Sequence, residues 1–95
     1  MVDEKNLQRL LSIIRLVADI EEELGLKNLP PVSRHIYYAV AELKKDGGTV
    51  REIRSNQKLL KISRTNFFKH LQNLCEEGWL IKVERENEHP RYIIG

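Results

Sequence analysis

Apolar residues in the first quarter of the chain recur at alternating intervals of three and four. This is the spacing of a helix that packs lengthwise against another helix. The pattern predicts a long helix over residues 3–24, which Gly25 ends by allowing a left-handed backbone conformation. The five positions of this seam are Leu10, Ile13, Val17, Ile20 and Leu24.

A second apolar stripe lies beside the seam. Together the two stripes are wider than the ~100° face that a surface helix needs to cover its own core. The helix is therefore either buried deeply in its own domain, or it places one stripe on its own domain and the other on a second copy of the chain. Because so short a chain has few elements to cover both, we favour a homodimer joined through the seam. The second stripe consists of Leu7, Leu11, Ile14 and Ala18.

A connector at residues 28–31 separates this helix from the next one. Ser33 is a good N-cap and predicts the start of a second helix, which Gly47 and Gly48 stop. Its last turn would contain Lys44 and Lys45, two cations that suit the negative end of the helix dipole.

A short third helix follows the glycine pair. Thr49 and Glu52 have the spacing of a capping box, in which each side chain satisfies a free backbone N–H of the other. This predicts a helix over residues 50–58 and a turn over residues 59–62.

Ser63 is the predicted cap of a fourth helix that extends to residue 77 and ends at Gly78. Phe67, Leu71 and Leu74 recur at intervals of four and three, so they form its inward row. This places Thr65, Asn66, Lys69, Gln72 and Asn73 on its outward face.

After Gly78 the period changes to rough alternation of β-forming residues. Residues 79–84 and 91–94 are predicted strands, and the polar residues 85–90 are a turn between them. The fold class is therefore mainly α with a C-terminal β-hairpin. All 95 residues are expected to form a single domain.

The charge is unevenly distributed. Residues 1–32 carry four basic and six acidic residues, whereas residues 33–95 carry twelve and eight. No acidic residue occurs from Ile53 to Cys75, a stretch that contains five Lys and Arg residues. Because solvated helix surfaces usually mix both signs, this stretch suggests an anionic partner.

Other chemistry has little support in the sequence. One cysteine and three scattered histidines give neither a disulfide framework nor a structural zinc site. We find no catalytic constellation and no phosphate-binding glycine loop, so we expect no enzyme, metal or cofactor. Neither a secretory signal nor a membrane span is visible, which predicts a cytoplasmic protein.

The order of short capped helix, tight turn and longer helix is the helix-turn-helix pattern, with a turn of three to four residues. Residues 49–80, TVREIRSNQKLLKISRTNFFKHLQNLCEEGWL, resemble the winged helix-turn-helix of small transcription regulators of the MarR and PadR type. Leu74-x-x-x-Gly78-x-Leu80 is similar to the junction between recognition helix and wing in that family. The resemblance covers residues 33–95. It implies a recognition helix at about 63–77 and a wing at about 79–94.

A helix of this kind fits the major groove of double-stranded DNA. Arg64, Thr65, Asn66 and Asn73 carry groups that read base edges, and Lys69 lies among them. Ser63 and the helix start suit a phosphate. Four cations that flank the helix would contact the DNA backbone: Arg51, Arg54, Lys58 and Lys61. In the wing, Arg85 and Arg91 could reach phosphate or a minor groove, although three neighbouring glutamates would repel DNA.

The sequence therefore predicts a homodimer that binds double-stranded DNA, with two recognition helices about 34 Å apart on a palindromic site. The resemblance implies a transcription repressor. The layout also resembles the AspA-type proteins of archaeal plasmid partition, which bind a partition site, spread along DNA and recruit further proteins. A third possibility is a winged helix used for protein contacts. Salt dependence separates this third possibility from the other two.

Overall fold

The computed structural model describes residues 3–43 and 46–95, and over these ranges the chain is mainly helical with a small antiparallel sheet near its C-terminus. The Lys44–Lys45 pair assigned to the last turn of the second helix lies outside the described residues. The described elements, with a 3₁₀ turn at Leu26–Asn28, are α1 Glu4–Glu23, α2 Pro31–Glu42, β1 Gly48–Thr49, α3 Val50–Arg54, α4 Arg64–Glu76, β2 Leu80–Val83 and β3 Arg91–Ile94.

The predicted limits of α1 are confirmed to within a residue. Asp3 caps its start by accepting a hydrogen bond of 3.1 Å from the backbone N–H of Lys5. Leu24 is the C-cap, and Gly25 follows with a φ of 77°, in the left-handed region that glycine adopts without strain. The 3₁₀ turn then buries Leu26, which brings the chain back into the core.

The expectation that α1 packs one stripe on its own domain is wrong. None of the residues Glu4–Glu23 is buried. Both apolar stripes are open to solvent, because, within the described ranges, all the buried apolar residues of the core come from Leu26 and later positions. Nine large apolar side chains of α1 and its C-cap are 41–59% exposed: Leu7, Leu10, Leu11, Ile13, Ile14, Leu16, Val17, Ile20 and Leu24.

Polar contacts from Glu21 join the last turn of α1 to α2. The hydroxyl of Tyr38 donates a hydrogen bond to the Glu21 carboxylate. The Arg34 guanidinium lies 3.9 Å from the same carboxylate. Burial, and after it the hydrogen bond to Glu21, raises the pKa of Tyr38 from 10.0 to about 12.

The second helix starts three residues earlier than predicted. Pro30 is its N-cap and Pro31 its first residue, a position that proline favours because the missing N–H would have no helical partner. Ser33 is therefore not a cap. Its side chain is buried, and its hydroxyl oxygen lies 2.9 Å from Nδ1 of His70 on α4. This hydrogen bond joins the two longest helices of the core.

The predicted hairpin is present, and a third strand that the sequence did not predict extends it. The strand order is β1-β3-β2, with both pairs antiparallel. Gly48 pairs with Tyr92, and Leu80 pairs with Ile94. Gly48 thus begins a strand, whereas α2 already ends at Glu42 with Leu43 as its C-cap, so the prediction that the glycine pair stops this helix is wrong.

The capping box at the start of α3 is confirmed. Thr49 Oγ1 accepts from the backbone N–H of Glu52 at 3.3 Å, and the Thr49 N–H donates to the Glu52 carboxylate at 3.1 Å. The helix ends at Arg54 and not at residue 58. Turns and bends fill residues 55–62, so the connection to α4 is longer than the predicted turn of three to four residues.

One core joins α2, α3, α4 and the sheet. Burying each large apolar side chain contributes about 1.5–3 kcal/mol. None of the helices within the described ranges is long and apolar enough to cross a membrane. The largest fully buried side chains are Phe67, Ile36, Ile53, Leu59, Leu71, Leu74, Leu80 and Val40.

Candidate nucleic-acid interface

The fourth helix presents one polar face to solvent. Its start is capped as predicted, because Ser63 Oγ accepts from the backbone N–H of Asn66 at 3.2 Å. Phe67, Leu71 and Leu74 are buried, which fixes the rotation of the helix about its axis. The exposed side chains are Arg64, Thr65, Asn66, Lys69, Gln72, Asn73 and, in the last turn, Glu76, which accepts a 3.1 Å hydrogen bond from Gln72.

The first turn of α4 also carries a positioned cation. The Arg64 guanidinium lies over the Phe68 ring, with Cζ 5.4 Å from the ring centroid. Phe68 in turn meets Phe67 edge to face at 5.6 Å. The aromatic face attracts the guanidinium and limits the conformations of the arginine side chain. Because the side chain is already ordered, it loses little conformational entropy when it binds a ligand. Arg64 is thus held at the helix start while remaining exposed.

Arg54 is less free than the sequence suggested. One Nη donates a 3.2 Å hydrogen bond to the carbonyl of Ile62, and Cζ lies 5.4 Å from the centroid of the Phe67 ring. The side chain therefore joins the end of α3 to the residue before the Ser63 cap. Its guanidinium is therefore engaged in contacts within the domain, which position α3 and α4, and is less available to an anionic partner.

The long turn between α3 and α4 is held by its own side chains. Asn56 accepts from the backbone N–H of Lys58 at 3.0 Å and donates to the Glu42 carboxylate at 3.3 Å. Leu59 is fully buried beneath it. Lys58 and Lys61 are exposed on this ordered turn.

A cleft of about 760 Å³ separates α3 and the start of α4 from the β2–β3 hairpin. Phe68, Pro90 and Tyr92 supply apolar and aromatic surface there. Of the residues described around this cleft, none is acidic. The basic side chains that line it are Arg51, Arg54, Arg64, Lys82 and His89.

Lys82 is not among the DNA-binding residues that the sequence predicts. In β2, Leu80 and Lys82 alternate onto the same face, and Lys82 is paired in register with Tyr92. The Lys82 ammonium donates a hydrogen bond to the Glu84 carboxylate, 3.1 Å away, and this bond raises the pKa of Lys82. Alternation along the strand would have predicted the position of Lys82. Leu80 is buried, so Lys82, two residues later, lies on the same face of β2.

The two arginines of the hairpin do not join this surface. Arg91 donates to the carbonyls of Asp46 and Gly47, both at 3.2 Å, and lies 3.4 Å from the Glu52 carboxylate. Its guanidinium is therefore used to hold β1 and α3 against β3. Arg85 lines a separate cavity of about 470 Å³, together with Arg91, Asp46 and Glu88. The structure thus groups the α3 and α4 cations with Lys82 and His89, and leaves Arg85 and Arg91 apart.

Titratable groups also lie outside this cleft, and a metal site would require several of them close together. Within residues 3–43 and 46–95, no cluster of three or more His, Cys, Asp or Glu side chains could hold a metal ion. Cys75 is half-buried beside the core, and this burial raises the pKa of its thiol. His70 is engaged with Ser33.

Comparisons with known proteins add no relative. The chain matches no protein-family model, and no curated protein or solved structure is significantly similar to it. The residues and their geometry are therefore what indicates a function.

Proposed function

We propose that this protein is a homodimer that binds double-stranded DNA sequence-specifically, with the arrangement of a winged helix-turn-helix and the role of a transcription regulator. The observation that carries the proposal is the exposed face of α4, which has no acidic side chain over residues 64–75. This face is continuous at Arg64 with the cation-lined cleft.

Electrostatics supports a nucleic-acid partner. The DNA backbone is a dense line of phosphates, and each cation that contacts it releases condensed counterions. Arg51 and Arg64 line the cleft, where Lys82 is paired with Glu84, and Lys58 and Lys61 extend the cationic surface along the turn. These side chains are spread over several elements, as contacts that track a backbone require.

The chemistry of α4 supports duplex reading. An α-helix fits into the major groove, where Asn pairs with adenine and Arg pairs with guanine through two hydrogen bonds each. Asn66 and Asn73 lie on the exposed face, and Arg64 lies at its start. In this proposal these three residues and Thr65 read base edges, while Lys69 and Ser63 contact phosphates.

The exposed apolar surface of α1 supports a homodimer. One small module buries limited DNA surface, and a symmetric pair of modules doubles both the contact and the length of the site. A second copy that covers the seam from Leu10 to Leu24 would remove several large apolar side chains from water at once.

Equilibrium binding to fluorescently labelled duplexes tests the proposal. We expect binding of mixed-sequence duplexes at about 50 mM salt that weakens at least tenfold by about 200 mM. A single-stranded oligonucleotide of the same composition is the control. Failure to bind any duplex at low salt would contradict the proposal, as would an affinity that does not depend on salt.

A protein partner is the competing function, and one observation favours it. Leu60 is 62% exposed on the α3–α4 turn, between the two exposed lysines. An apolar contact at this point would bury the leucine and depend little on salt. Replacing Leu60 with Ser separates the two functions, because DNA binding should survive the substitution and an apolar protein contact should not.

A further inference from the structure

The apolar surface of α1 extends around more than half of the helix. Projected at 100° per residue, its large apolar side chains span about 220°, from Leu16 at one edge to Leu11 at the other. Leu16 is 59% exposed and belongs to neither stripe of the sequence analysis. A partner that covers the apolar surface of α1 therefore has to cover Leu16 as well.

Charges along α1 are separated by sign. From Lys5 onwards, the basic residues Lys5, Arg9 and Arg15 come first, and Asp19 and Glu21–Glu23 follow. A second α1 that ran in the same direction would place the two acidic ends side by side. A second α1 that ran in the opposite direction would place each acidic end against a basic one.

We propose that α1 pairs antiparallel with the α1 of a second copy of this chain, in one register. The seam residues alternate between two positions of a heptad, and in an antiparallel pair each faces the other kind. Leu10 then faces the partner's Ile20, and Ile13 faces the partner's Val17. The two-fold axis crosses the pair near residue 15.

This register also accounts for the residues that flank the seam. Arg9 and Glu23 lie on the same flank, and in an antiparallel pair with this register they face each other across the interface. The side chain between them on that flank is Leu16, which meets the partner's Leu16 near the two-fold axis. The register thus matches an opposite-charge pair at each end and an apolar contact at the centre.

The pairing rests on the proposed homodimer and has a consequence for DNA binding. At 1.5 Å per residue, the two Gly25 residues lie about 30 Å apart along the helix pair. This is close to the spacing of about 34 Å between successive major grooves on one side of a duplex. A parallel pair would instead place both Gly25 residues at the same end.

Disulfide formation between engineered cysteines tests the direction of pairing. Leu10→Cys and Ile20→Cys are each made in a Cys75→Ser background, which is also the control. In the antiparallel register, oxidation should cross-link an equal mixture of the two variants and neither variant alone, because like positions lie about 15 Å apart along the axis. Cross-linking of each variant alone would show parallel pairing. An absence of cross-links in all samples would also overturn the proposal.

Charge reversal tests the register by a different readout. Arg9→Glu or Glu23→Arg alone should weaken dimerisation by roughly two- to fivefold per ion pair, and the double variant should restore it. Sedimentation equilibrium measures all three. Single variants without effect, or a double variant weaker than both, would contradict the register. Because neither experiment contains DNA, a confirmed helix pair without duplex binding would reject only the DNA-binding function.

Discussion

The Arg54 guanidinium on α3 lies over the ring of Phe67 on α4, 5.4 Å from its centroid, and it also donates to the carbonyl of Ile62. One side chain therefore joins the two helices and the turn between them. In the proposed interface, the orientation of α4 depends on this contact, whereas Arg51 on the same short helix is exposed.

Replacing Arg54 and replacing Arg51 should thus have different effects. Arg54→Ala removes a hydrogen bond and a cation–π contact, so we expect a loss of about 1–2 kcal/mol in the free energy of unfolding together with weaker DNA binding. Arg51→Ala should weaken binding and change stability by less than about 0.5 kcal/mol. Urea denaturation and duplex titration measure the two effects. Equal stability of both variants would contradict a structural role for Arg54.

Arg64 and Asn66 should determine sequence preference. Arg64→Ala or Asn66→Ala should lose about 1–3 kcal/mol of discrimination at particular base pairs. Lys69→Ala is the matched control on the same helix face, and it should weaken binding to all sequences alike. Selection of preferred duplexes from a random pool, followed by titration of single-base variants, measures the preference. Uniform weakening by all three substitutions would show that Arg64 and Asn66 do not read bases.

Lysines on the α3–α4 turn should set the salt dependence. Lys58→Gln and Lys61→Gln should each reduce the slope of log K against log salt by about 1, because each removes one phosphate contact. Arg85→Gln is the control, since Arg85 lines a different cavity. A reduced slope in the Arg85 variant with unchanged slopes in the lysine variants would place the DNA on the opposite face of the hairpin.

Tyr38 should make stability depend on pH in the alkaline range. Burial and then the Glu21 hydrogen bond raise its pKa from 10.0 to about 12. The unfolded chain loses the phenolic proton near pH 10, while the folded chain retains it until about pH 12. The stabilisation is therefore present below pH 10 and is lost as the pH rises through 12. Denaturation of the wild type should show this loss, and Tyr38→Phe should show a smaller one. Parallel curves would contradict the assignment.

Charged residues in the α1 seam should abolish the dimer. Val17→Asp combined with Ile20→Asp places two carboxylates in the apolar interface, and we expect a folded monomer in sedimentation. Both side chains are exposed in the single chain, so the domain should keep its helical circular dichroism. Ser12→Asp, on the polar face of the same helix, is the control. A dimer that persists in the double variant would place the interface elsewhere.

Local signals in the sequence predicted much of the fold. Gly25 and Gly78 both adopt positive φ at helix ends, and Thr49 and Glu52 form both bonds of the capping box. The inward row of α4 is buried as its spacing predicted. These features depend on residues a few positions apart, so the sequence contains the information directly.

Features that depend on distant residues were missed. β1 has two residues, too few for a pattern, and it exists because Gly48 pairs with Tyr92, 44 residues later. The Ser33 hydroxyl suits a helix cap, which is what the sequence predicts, whereas its partner in the structure is His70 on another helix.

In the candidate site, too, the features set by nearby residues were predicted and those set by distant residues were not. The exposed face of α4 followed from its buried row, and the structure places Arg64, Asn66 and Lys69 on that face. Arg91 was selected for its charge, yet that charge is held by Asp46, Gly47 and Glu52. Composition counts cations, but tertiary contacts decide which of them remain free.

In the proposed function, a dimer of this protein recognises duplex DNA through α4. The most direct test is a footprint on the DNA that flanks its own gene, over a protein titration at two salt concentrations. We predict one discrete protected region with two halves about one helical turn apart, which fades as salt increases. A protected region that starts at one site and lengthens with protein would instead indicate the spreading behaviour of partition proteins. No protection of any fragment at low salt would exclude DNA recognition through α4.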